Sequence, residues 1–223
     1  MRRASILCAL LVGLTLLANR SWAVAQDATP IPGPPPGTIV PDPSECTVEP
    51  RPLSFFAQLA ATPQALPADA DQRFSKPTDQ ERPWTMPPGS PADPDTVAAV
   101  TATLRQALAC LNANDPLRFL SLFSDDMLRL FFAQSPIPPD AIPQLAATPV
   151  ASPPDQWLGY LSVHDARVLP DGRVAALAED YDPTEPPFGM GTDFAIFVKV
   201  GNTWLIDSLI EHVKIVGEGT PTT

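Results

Sequence analysis

Apolar positions are spread unevenly along the 223 residues, and their spacing changes twice. From Asp93-Pro94 onward, Val97, Val100, Leu104, Leu108 and Leu111 recur at three- and four-residue steps, which draws one stripe along a helix. Asp93 supplies a cap, and Pro94 occupies the first helical position, where its missing N–H costs nothing. Asn114-Asp115-Pro116 ends that helix and starts a second carrying Leu117, Leu120 and Phe123. Ser124-Asp125-Asp126 caps a third carrying Met127, Leu128, Leu130 and Phe131, with its acids at the positive helix end.

After Trp157 the period falls to two. Tyr160 through Leu169 predicts a strand, Pro170-Asp171-Gly172 a turn, and Arg173 through Asp182 the returning strand. Phe194, Ile196, Val198 and Val200 alternate, Gly201-Asn202 turns the chain, and Trp204, Ile206, Ser208 and Ile210 continue the alternation. Helices followed by antiparallel strands predict an α+β domain in which N-terminal helices pack on a curved antiparallel sheet.

Proline sets the remaining boundaries. Pro30 through Pro94 holds 17 of the 30 prolines, each fixing φ and removing an amide donor, so this segment is expected to run as an extended arm without a core of its own. Within it, Leu53–Ala61 is apolar enough for a short helix capped by Ser54, and Trp84 is an anchor candidate. Pro136 through Pro154 holds seven more and predicts an irregular excursion. The expected organisation is a signal peptide over 1–25, a proline-rich arm over 26–92, an α+β domain over 93–213 and a tail over 214–223. Thr-Pro pairs at Thr29, Thr62, Thr148 and Thr220 are compositional or accept O-linked sugars.

The signal peptide rests on Arg2 and Arg3, the uncharged run Ile6 through Ala18, and the small-x-small Ala23-Val24-Ala25 before a cut at Gln26. An uncleaved anchor is the other reading, although the run is short for a bilayer. A secreted or cell-envelope location follows, and no later stretch has the length of a membrane span. Without Arg2, Arg3 and Arg20, 11 basic residues face 25 acidic ones, a net charge of −14. Nucleic acid is thereby excluded as a partner, since phosphate recognition draws on clustered Lys and Arg. With Cys8 removed, Cys46 and Cys110 remain, an even pair in an oxidising compartment that predicts a disulfide; two buried thiols are the alternative.

The segments FSDDMLRLFF and VGNTWLIDSLIEH, in this order of elements, resemble the NTF2-like superfamily of SnoaL-like and ketosteroid-isomerase-like cone folds over about residues 93–213. Gly201, Trp204, Leu205, Ile206 and Asp207 match its closing strand. The resemblance implies a sheet curled about a helix with a cavity at the wide end. It does not fix a reaction, because that fold carries isomerases, hydrolases, transport factors and proteins without activity.

Candidate chemistry is sparse. His164 and His212 each adjoin an acid, as His164-Asp165 and Glu211-His212, but strand neighbours point to opposite faces, so both are expected as surface residues and no metal site is expected. The densest acidic group is Asp180, Tyr181, Asp182, Glu185 and Asp193, either a solvated rim, a weak Ca²⁺ contact, or an acid/base site in which Tyr181 acts with Asp193 or Asp207. Asp207 also has a structural reading. Phe119, Phe123, Trp157, Phe194 and Trp204 line either a filled core or a small apolar pocket. No phosphate loop, nucleophile triad or HExxH stretch is present, and no cofactor is expected. The favoured expectation is a non-catalytic module for a small apolar ligand or for the chain's own arm, with homodimerisation open. The alternatives are a cofactor-free isomerase or hydrolase and a structural envelope protein.

Overall fold

The structure is a computed structural model that describes residues 33–62, 70–73, 83–184 and 189–216. The signal peptide and its cut, Thr29, Glu185, Thr220 and the tail beyond 216 lie outside the described residues. The chain is an α+β protein in which helices precede a five-stranded antiparallel sheet. Helix α1 spans Leu53–Ala61, α2 Ala70–Arg73, α3 Pro94–Asn112, α4 Pro116–Ser121 and α5 Asp125–Gln134. Strands β1 (Pro83–Trp84) and β2 (Ser90–Pro91) precede α3, and β3 (Gly159–Val168), β4 (Val174–Tyr181), β5 (Met190–Val200), β6 (Thr203–Ile210) and β7 (Lys214–Ile215) follow α5. The main sheet runs β2-β3-β4-β5-β6, while β1 pairs in parallel with β7. No helix among the described residues is long and apolar enough to cross a membrane.

Local chemistry sets the helix ends. Asp93 accepts from the Thr96 N–H, Asp115 from Arg118 and Ser124 from Met127, so each of α3, α4 and α5 begins on a side-chain cap. Asn114, in the left-handed region at φ 53°, turns the chain out of α3. The expected Ser54 cap is not used: α1 begins after Pro52 without a side-chain cap, and the Phe55 N–H donates to the Pro52 carbonyl. Of the expected stripe Val100 and Leu108 are buried, together with Thr103, Ala107 and Cys110, whereas Val97, Leu104 and Leu111 are only half-buried. Smaller residues win that face because the arm and β6 approach the helix closely, with Thr103 Oγ1 donating to the Trp204 carbonyl.

The sheet has apolar layers on both faces. Against the helices lie Val174, Ala176, Ala195, Phe197 and Ile206, joined by Phe56 and Leu59 of α1 and the buried residues of α4 and α5. On the other face Leu169, Ala175, Leu177, Phe194, Ile210 and Val213 pack beneath Trp84 and Met86. The alternation expected through Trp204, Ile206, Ser208 and Ile210 breaks, because pairing jumps from Ile196↔Ser208 to Phe197↔Ile206. Asp207 is the extra residue of that bulge, and three successive residues, Ile206, Asp207 and Ser208, are buried in consequence. Edge strand β6 is covered where the Leu122–Ser124 backbone exchanges hydrogen bonds with Ile206.

The arm is part of this packing. Cys46 and Cys110 form the disulfide, tying the arm to the last turn of α3. Nearby, Glu45 accepts two hydrogen bonds from Arg105, and Arg118 donates to the Val48 carbonyl. Asn112, 1% exposed, clasps two segments to its helix: its amide donates to the carbonyls of Pro41 and Leu158, and its Oδ1 accepts from the Leu158 N–H. Phe56 is fully buried, its ring edge-on to Phe132 at 5.9 Å.

Two stability outcomes follow. Replacing both cysteines with alanine should lower unfolding stability by about 4 kcal/mol, the loop-closure value for a bridge of this span, read from chemical denaturation of oxidised protein. Phe56→Ala should cost about 3 to 5 kcal/mol if the arm belongs to the same cooperative unit. A cost near zero would show an arm that unfolds independently.

Candidate functional site

Two groups of buried charge stand out, and they are neutralised in opposite ways. The first centres on Asp207. Its bulged position turns the carboxylate toward Arg73 of α2 at 3.1 Å and Arg173 at 3.0 Å, and its Oδ1 also accepts from Ser124 Oγ at 2.6 Å. Ser124 meanwhile caps α5, so one hydroxyl couples that helix start to the sheet edge. Ser208 Oγ donates to the Arg73 carbonyl and fixes α2 on the same strand. Above these residues lies a cleft of about 540 Å³, walled by Arg73, Asp125, Asp126, Arg173, Val198 and Leu205. Asp207 is thus a structural hub at the floor of a charged cleft.

In the second group, among the described residues, no arginine pairs with the carboxylates. Asp180 sits opposite Gly191, and Asp193 opposite Ala178, so the two carboxylates are diagonal neighbours on one face of the β4–β5 hairpin. His212 follows β6 at φ 53°, in the left-handed region, and its backbone N–H donates to Asp193 Oδ1 at 2.9 Å. That turn carries the imidazole across the sheet, with Nε2 3.7 Å from Asp180 Oδ2. Gly191 makes the approach feasible: a Cβ there would stand 2.6 Å from Asp180 Oδ1 and 2.7 Å from His212 Nε2. Burial, then the neighbouring Asp180 and Glu211 charges, push the Asp193 carboxyl well above its ordinary range, against the opposing His212 N–H and ring. Chemically, this trio can hold a proton or a cation.

The other expected site residues are dispersed. Tyr181 pairs with Met190 and follows Asp180 directly, so it projects from the face opposite Asp193. Asp207 belongs to the arginine group, and no Tyr–Asp pair is assembled among these three residues. Phe119 and Phe123 stack edge-to-face at 4.9 Å in the helix-side core, with Trp204 packed at its margin. Phe194 lies on the other sheet face against Trp84, ring centroids 5.1 Å apart. Trp157 stays half-buried in the excursion, donating to the Ser152 carbonyl. These five aromatics therefore share no single lining.

The histidine expectations need correcting. His164 does reach its neighbour, with Nδ1 3.3 Å from Asp165 Oδ2, because pairing is irregular after His164 and Asp165 adopts φ 50°. His212 is no surface residue; its side chain is 21% exposed between two acids. The signal available in the sequence was Gly191 two residues before Asp193, but its meaning depends on strand register. Asp182, from the same acidic stretch, points instead into its own turn, accepting from Thr184 N and Oγ1. Comparison with protein-family models, curated proteins and solved structures finds no match.

Asp193 is held in a site that favours its neutral form, so its stabilising share is complete at low pH and is lost as pH rises through the elevated folded value. Asp193→Asn should therefore raise the melting temperature in metal-free buffer at pH 7 to 8. The gain should shrink toward zero below about pH 4, where the unfolded carboxyl is protonated as well. A gain independent of pH would contradict this. Separately, Asp207→Ala should cost about 3 kcal/mol by leaving two guanidinium groups without their shared acceptor, measured by denaturant unfolding at neutral pH.

Proposed function

We propose that this chain is an exported NTF2-like domain acting as a non-catalytic binding or accessory module, with its own proline-rich arm filling the apolar space. The observation that carries this reading is Phe56: an arm residue, completely buried, packs against Phe132 inside the helix-side core. On the opposite sheet face Trp84 and Met86 cover the second apolar cluster. Apolar surface that such a fold could offer a ligand is thus spent on the arm, and binding falls to the charged cleft beside Asp207. The Cys46–Cys110 bridge supports an oxidising location. The isomerase or hydrolase alternative loses support, since Tyr181 and Asp193 face opposite ways.

Native mass spectrometry and proteolysis test this together. Oxidised protein purified from its own host should carry no copurified apolar molecule. Residues 33–62 should resist protease while the disulfide is intact and become cleavable after reduction. A retained apolar ligand, or cleavage within 33–62 of the oxidised protein, would sink the proposal.

A further inference from the structure

We propose that Asp180, Asp193 and His212 form a binding site for a first-row divalent transition ion of the zinc class. One ligand atom from each of the three residues lies within 4.8 Å of the others, already close to a coordinating arrangement. Two ligands about 2.0 to 2.2 Å from a common tetrahedral ion stand roughly 3.4 Å apart, and His212 Nε2 is 3.7 Å from Asp180 Oδ2. Side-chain adjustments of less than an ångström bring that pair to bonding distance.

Independent of that proximity, the site contains an unmet electrostatic demand. Asp180 Oδ1 is buried with no hydrogen-bond donor, although its side chain is only 14% exposed. Among the described residues no Lys or Arg pairs with Asp180 or Asp193, whereas buried Asp207 has two guanidinium partners. A divalent cation would supply both the missing positive charge and the missing partner for Oδ1. Gly191 leaves a cradle beneath the converging atoms that any side chain would fill. The residual exposure of His212 gives an ion an entry path and leaves room for water as a further ligand.

Ligand chemistry selects the ion class. An imidazole nitrogen with two carboxylates suits zinc and its neighbours, whereas Ca²⁺ takes six to eight oxygens and Mg²⁺ keeps several waters. The ligands come from β4, β5 and the turn after β6. A bound ion would therefore cross-link three successive segments of the sheet end. This inference does not depend on the accessory-module proposal, and the two can fail separately.

Isothermal titration of untagged full-length chain with zinc chloride should show one ion bound per chain. His212→Ala and Asp180→Asn should each weaken binding by about tenfold or more, while His164→Ala, the exposed histidine with its own acidic neighbours, should leave it unchanged. Zinc should raise the melting temperature of the wild type and not of His212→Ala, and millimolar Ca²⁺ should not displace it. Absence of binding, or undiminished affinity in His212→Ala, overturns the site. Should a variant fail to fold, Co²⁺ added to the wild type decides: a visible spectrum stronger than that of the aqueous ion supports coordination by the trio, and an aqueous-type spectrum refutes it.

Discussion

A segment this rich in proline cannot satisfy its own backbone or build its own interior, so whatever order it has must come from surfaces elsewhere in the chain. The bond between Cys46 and Cys110 meets that constraint, holding the arm against α3. Around it the contacts are specific: the Glu45–Arg105 pair, the Arg118 hydrogen bond to Val48, and Asn112 reaching Pro41. With the arm so placed, α1 inserts Phe56 and Leu59 among the helices, and further along Trp84 reaches the opposite sheet face. Both faces of the sheet are thereby buried, which is unusual for an antiparallel sheet, where one face is commonly left to water.

Closure of both faces explains where polar chemistry collects. Carboxylates that fall inside a two-sided sheet must be matched or accept a changed proton affinity. At the β6 bulge Asp207 takes the first course, with Arg73, Arg173 and Ser124 around it. At the far end of the β4–β5 hairpin the match is incomplete, and Asp193 takes the second. The charged cleft and the Asp–Asp–His trio are two outcomes of the same burial.

Much of the architecture was legible because it rests on local rules. Caps at Asp93, Asp115 and Ser124, the turns at Pro170-Asp171-Gly172 and Gly201-Asn202, and the change of period after Trp157 each depend on neighbours only a few residues apart. What escaped depends on distant pairing. The bulge at Asp207 moved Trp204 and Ile210 to different faces, and no periodicity announces an inserted residue. His212 looked like an exposed strand residue until a left-handed turn swung it over Gly191. Thr103 and Ala107 displaced larger residues from the buried line of α3 because a second layer pressed on that helix, a tertiary effect that helical spacing does not encode.

The clasp at Asn112 bears on the order of assembly. Its side chain holds the carbonyl of Pro41, 71 positions earlier, and both backbone groups of Leu158, 46 positions later. The Pro41 grip must wait for Asn112 to emerge and the Leu158 grip for the residues that lead into β3, so synthesis delivers the arm before its docking surface exists. Until Cys110 emerges, 64 positions behind it, Cys46 is a thiol awaiting its partner. The front of the polypeptide is therefore joined to the rest only once Cys110 and Asn112 are there to hold it.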